Sequence, residues 1–181
     1  MNKSEKTISY LNQQTGEIHE KKSYVDMLFD EETGYAAWTN KKGTKTYNGN
    51  HIPKVFTWAE KGRIEELKHY ILRDNQFLVY RSHNVIKPIG VTQLQNIFEL
   101  SLDRSRKLIR KLKQHSIIKE VNFDNTIYYS FNPIYGIKDK RITLTLFIIF
   151  QEELTDMIPP WVISKFIQQA AELKPMVKVI K

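Results

Sequence analysis

The sequence predicts an α+β chain whose centre is a pair of short helices followed directly by a β-hairpin. Three observations predict it. Apolar residues recur at three and four over 91–100 and again over 102–115, with a polar turn between the two stretches. Immediately afterwards, β-prone runs flank the turn residues Asp124 and Asn125. Before position 51, short β-prone runs alternate with turn signals. The chain accordingly divides into a β-rich N-terminal extension (1–56), a central domain (57–136) and a C-terminal strand and helix extension (137–181).

Along the chain, Thr7 to Tyr47 contains the turn signals Gln14-Thr15-Gly16, Glu32-Thr33-Gly34 and Lys42-Gly43, with Asn48-Gly49-Asn50 just beyond, and reads as one or two hairpins. From Thr57 to Leu72, the residues Ile64, Leu67, Tyr70 and Ile71 mark one face of an amphipathic helix. Gln76 to Arg81 reads as a short strand, followed by a loop ending in Pro88 and Gly90. Val91 to Leu100 is then a helix with Thr92 near its start and Leu94, Ile97 and Phe98 facing inward. The turn falls at Leu100 to Asp103. There Ser101 or Asp103 can accept hydrogen bonds from the first amides of the next helix, which have no partner within it.

That next helix, Leu102 to about His115, places Ser105, Leu108, Ile109 and Leu112 on one face. Arg104, Lys107 and Lys111 share another face, flanked by Arg106, Arg110 and Lys113. Ile117 to Phe123 and Ile127 to Phe131 form the hairpin, closed by Asn132-Pro133 because proline cannot extend a central ladder. In Arg141 to Phe150 the alternation of Ile142, Leu144, Leu146, Ile148 and Phe150 favours a strand, with a buried helix as the alternative. Beyond Pro159-Pro160, a helix from Trp161 to Leu173 carries Trp161, Val162, Phe166, Ile167, Ala170 and Leu173.

Charge is concentrated in one place. Of the formal +8, the segment from Ser101 to Lys119 carries +6, with seven basic residues against the single acid Asp103. A dense cationic segment is the electrostatic footprint of an element that binds phosphate; the bland alternative is a solvated helix face. The 41% hydrophobic content supplies a real core. The absence of cysteine excludes disulfides and thiolate zinc sites. No apolar run has the length of a signal peptide core or a membrane span, so a cytoplasmic protein without membrane association is expected.

Helix, turn, basic helix and hairpin is the order of a winged helix-turn-helix. The stretch Leu100-Ser-Leu-Asp-Arg-Ser-Arg-Lys-Leu-Ile-Arg-Lys-Leu-Lys-Gln-His-Ser-Ile-Ile-Lys119 resembles the recognition helix of bacterial winged-helix proteins. It has the interior Leu-Ile pair, a further leucine and a tight turn into an apolar strand, with Ser116 where such families often have glycine. Over Thr15 to Pro133 the chain also resembles the Firmicute plasmid replication initiators of the RepL type. The matching features are Thr15-Gly16-Glu17-Ile18, the helix from Thr57, the basic helix and Asn132-Pro133. The sequence around Gly34 to Asn50 and the tail after Gly136 depart from that pattern. The resemblance implies sequence-specific binding of double-stranded DNA by a protein of a plasmid, phage or mobile element acting in replication initiation. A transcriptional regulator would use the same winged helix. The reading from another class is a protein-interaction module whose basic face binds an acidic host protein.

In a winged helix the second helix enters the major groove, which displays a distinct pattern for each base pair. On that basis Arg104, Ser105 and Lys107 reach base edges, and Arg106 flanks the groove or reaches phosphate. Arg110, Lys111, Lys113 and Lys119 contact phosphates, and Asn122 and Asn125 either touch the adjacent groove or backbone or serve only to form the turn. Lys41, Lys42 and Lys45 read as a solvated turn offset by Asp30, Glu31 and Glu32. Tyr35, Trp38, Tyr47, Phe56 and Trp58 read as core in preference to base-stacking platforms. A single recognition helix spans few base pairs, so a homodimer is expected, with Trp161, Phe166 and Ile167 as its interface or else as ordinary core.

Catalytic readings find little support. There is no Gly-x-x-x-x-Gly-Lys loop, and the five histidines match no common metal spacing, nor the His-hydrophobe-His pair of rolling-circle initiators. Glu65-Glu66 and Glu152-Glu153 read as solvated charge. No enzymatic activity, cofactor or metal is expected, and the partners are duplex DNA and the replication or transcription machinery of the host.

Overall fold

The computed structural model describes residues 4–11, 18–25, 27–30, 34–38, 51–138, 141–173 and 177–180. Strands β1 (Ser4–Leu11) and β2 (Ile18–Val25) pair with each other, and β3 (Met27–Asp30) pairs with β4 (Tyr35–Trp38). Then come α1 (Trp58–Leu67), β5 (Val79–Ser82), β6 (Val85–Pro88), α2 (Val91–Phe98), α3 (Leu102–Gln114), β7 (Ile118–Phe123) and β8 (Thr126–Phe131). The chain closes with β9 (Arg141–Thr143), α4 (Leu144–Ile149), α5 (Gln151–Leu154), α6 (Pro160–Leu173) and β10 (Val177–Ile180). The architecture is mixed α and β, with small antiparallel sheets. No helix among the described residues is long and apolar enough to cross a membrane.

Local chemistry explains the central elements. Thr57 opens α1 with a reciprocal cap: its Oγ1 accepts from the Glu60 amide at 3.2 Å, and the Glu60 carboxylate accepts from the Thr57 amide at 2.8 Å. α2 ends where Glu99 turns left-handed (φ 52°, ψ 46°), so that its amide and that of Leu100 bond back to the carbonyls of Asn96 and Gln95. Only Glu99, Leu100 and Ser101 then link α2 to α3. Arg63 Nε donates to the Phe98 carbonyl at 2.7 Å and ties α1 to the end of α2.

The exit from α3 is equally specific. Ser116 takes the left-handed conformation (φ 50°), which favours glycine and which a serine adopts at some cost. Asn132 clamps this corner: its Nδ2 donates to the Ser116 carbonyl at 2.7 Å, and its Oδ1 accepts from the Ile134 amide at 3.0 Å. The Asn-Pro pair therefore marks a buried joint between the start of β7 and the end of β8. β7 and β8 run in register from Ile118↔Phe131 to Phe123↔Thr126, turning at Asp124 and Asn125, both left-handed as a type I′ turn requires.

Two cores lie against the sheet of β7 and β8. Ile64, Leu67, Leu94, Phe98, Leu108, Leu112, Ile118 and Phe131 form the helical one. Val121 joins Phe77, Ile142, Leu146, Phe147, Phe150, Val162 and Phe166 in the other. Each such buried side chain contributes on the order of 1.5–3 kcal/mol relative to exposure.

Several expectations are corrected. The segment from Arg141 to Phe150 is strand only through Thr143, whose hydroxyl accepts from the Leu146 amide at 3.2 Å and so starts α4. From Leu144 to Phe150 every residue but Thr145 is apolar, so Leu146, Phe147, Ile149 and Phe150 fit a helical period where the alternation also fits, and the cap decides. The strand β9 pairs with β4, which joins the C-terminal region to the N-terminal one. The expected loop ahead of Gly90 contains β6, which pairs with β5 in a hairpin turning at left-handed His83 and Asn84. Only Val79 to Arg81 of the expected strand Gln76 to Arg81 lies in that ladder; Phe77 and Leu78 form single bridges to Ser130 and Ile71. β10 pairs with β7 and was not foreseen. Phe166 is fully buried against Phe147 (4.7 Å between ring centroids), so it belongs to the core and not to a dimer interface; Ile167 alone of that trio is exposed. Lys41, Lys42, Lys45 and Tyr47, with the turn signals at 14–16, 42–43 and 48–50, lie outside the described residues.

Candidate nucleic-acid interface

α3 is amphipathic in the simplest way. Ser105, Leu108, Ile109 and Leu112 are buried, and the opposite side presents Asp103, Lys107, Arg110 and Gln114 to solvent. Seven residues apart, Arg104 and Lys111 share one flank, and Arg106 and Lys113 share the other.

The two ends of these flanks differ. Arg104, Lys107 and Arg110 are exposed and have no ion-pair partner among the described residues. Arg106 approaches Asp103 at 3.9 Å with both side chains largely in water, an arrangement that contributes little. In contrast, Lys111 is 2.8 Å from Glu60, donates to the Val55 carbonyl at 2.9 Å and lies over the Phe56 ring. Lys113 is 2.8 Å from Glu120. Lys119 is 2.8 Å from Glu153, and its side chain is only 18% exposed.

These placements correct part of the expected contact set. Lys111, Lys113 and Lys119 are engaged by carboxylates that bind α3 and β7 to their neighbours, so they are not free phosphate contacts. Ser105 is fully buried on the packing stripe and its hydroxyl has no partner, so it cannot reach a base edge. Ser101 stands at the N-cap of α3 without a capping bond from its side chain, and Asp103 is exposed beside Arg106. Asn122 is half-buried opposite Ile127 in the hairpin, while Asn125 is exposed at the tip next to the acid Asp124. Arg104, Arg106, Lys107 and Arg110 remain as one accessible cationic surface.

Electrostatics sharpen the distinction. Burial pushes the Glu60 carboxyl up, but the hydrogen bonds from Lys111 and the Thr57 amide, with the charge of Lys111, outweigh it and hold the group below the usual carboxylate range. Lys111 and Lys113 sit in the last turn of α3, where the helix dipole favours cations; Arg104 sits in its first turn, where the dipole disfavours it. A cation set against that preference and without an ion-pair partner among the described residues, as Arg104 is, is poorly explained by stability alone.

Trp58 was read as core and is instead 86% exposed at the start of α1, with Lys61 Nζ 4.9 Å from its ring centroid. Helical spacing offered the signal, since six residues separate it from Ile64 and place it off the stripe of Ile64, Leu67 and Ile71. Phe56 was read correctly as core. No protein-family model, no curated protein and no solved structure matches the chain.

Proposed function

We propose that the chain is a non-enzymatic winged helix-turn-helix protein that binds double-stranded DNA sequence-specifically and acts in replication initiation of a plasmid, phage or mobile element. The observation that carries the DNA-binding reading is the separation within α3: a fully packed apolar face opposite four exposed cations, Arg104, Arg106, Lys107 and Arg110. The short left-handed turn from α2 and the I′ hairpin after α3 support the winged-helix assignment. Arg104 and Lys107 read base edges and Arg106 and Arg110 contact phosphates, with Asn125 at the hairpin tip. The replication role rests on the resemblance to RepL-type initiators, and a homodimer on the few base pairs one helix spans.

Selection of bound fragments from the DNA of the host element tests this. Wild type should enrich one repeated or palindromic site at an origin, and the Arg104→Ala/Lys107→Ala variant should enrich none. A site at a promoter would make the protein a regulator. Enrichment of nothing by either protein would discard duplex reading and turn the basic face toward an acidic protein partner.

A further inference from the structure

Resting on that reading, we propose that Trp58, with Lys54 and Lys61, forms a second nucleic-acid contact that takes an unpaired nucleobase beside the duplex held by α3. Trp58 is 86% exposed and its neighbour Val55 is 51% exposed, an apolar pair left open to water. The segment is anchored against α3, because Lys111 donates to the Val55 carbonyl and to Glu60, and Phe56 packs 5.4 Å from His115. The residues on either side of Trp58 therefore meet α3 at Lys111 and His115, next to the C-terminal end of the cationic surface.

Charge selects the occupant. The only acid between Lys54 and Arg63 is Glu60, and Lys111 occupies it, which leaves Lys54 and Lys61 for an anion. Lys61 covers one face of the indole, and the other is free for a flat apolar partner. A paired base keeps its faces inside the duplex stack, whereas an unpaired base offers a π-face for the ring and a phosphate for each lysine. Such a contact favours locally opened DNA, as an initiator requires and a simple repressor does not.

The test compares, at low salt, a fully matched duplex with the same duplex carrying a short unpaired bubble, following affinity and tryptophan fluorescence. Wild type should bind the bubble about tenfold more tightly, with quenching, as one stacked base contributes. Trp58→Ala should remove that preference and leave matched-duplex affinity unchanged, while Trp58→Phe retains part of it. Equal wild-type affinity for both DNAs, or an equal loss on both in Trp58→Ala, overturns the proposal. Should wild type ignore the matched duplex yet bind the bubble through Trp58, stacking stands and duplex reading by α3 fails.

Discussion

The two ends of α3 carry the same kind of side chain on the same flanks and use it oppositely. Arg104 stands free in the first turn and Arg106 meets only the solvent-exposed Asp103 at 3.9 Å, and two turns later Lys111 and Lys113 are 2.8 Å from Glu60 and Glu120. Residue type and helical phase are alike along each flank; what differs is the neighbour. α1 and β7 bring carboxylates only to the C-terminal half, so one cationic run serves two purposes: it holds the helix in place and leaves the other end open for a polyanion. A charge run therefore cannot be assigned to binding or to stability until its neighbours are known.

The largest disruption is expected from removing the seat that both halves share. Leu112 is fully buried in the helical core, so Leu112→Ala should cost about 2–5 kcal/mol in chemical denaturation and abolish any DNA binding with the fold. A variant of near wild-type stability would contradict the packing described for α3.

Next is the free half. Arg104→Ala/Lys107→Ala should reduce duplex affinity by about thirtyfold or more, consistent with roughly 1–3 kcal/mol for each of two base contacts, without lowering the melting temperature. Arg110→Ala should flatten the dependence of log affinity on log salt by about 1, as expected for one phosphate contact. The comparison breaks down if Lys111→Ala or Lys113→Ala changes that slope equally.

The paired half is tested through Glu60, at a smaller expected effect of about 1 kcal/mol. Glu60→Gln should lower stability while raising duplex affinity, because it frees Lys111 and removes an anion. Acid does the same without mutation. The folded-state pKa of Glu60 is depressed, so its contribution is complete above the unfolded value near 4.5 and is lost as pH falls through the lower folded value. Denaturation midpoints from pH 6 down to about 2 should thus fall less in Glu60→Gln than in wild type. Parallel curves would remove Glu60 from the account.

The smallest change sharpens the correction at Ser105. Its buried hydroxyl has no partner, so Ser105→Ala should stabilise by up to about 1 kcal/mol and leave DNA affinity unaltered. Reduced affinity at unchanged stability would return Ser105 to the reading surface.

Local signals were enough for the elements that local chemistry decides. The helix that starts at Thr57, the stripe of Ser105, Leu108, Ile109 and Leu112, and the Asp124-Asn125 turn each depend on residues a few positions apart, and each was legible in the sequence. So was the concentration of charge in 101–119. Where nearly every residue was apolar, as in Leu144 to Phe150, two periods fitted at once and a single threonine hydroxyl settled the outcome. The hairpin at His83-Asn84 escaped notice because neither left-handed residue is glycine.

What the sequence determined by itself was an α+β chain with a basic amphipathic helix between a short turn and a hairpin. Only the tertiary structure decided which of those cations are spoken for. Glu60 lies 51 positions before Lys111 and Glu153 lies 34 after Lys119, and such pairs form through folding and not through spacing. The closure of β9 onto β4 was decided in the same way, because strand pairing across the chain depends on what folding brings alongside.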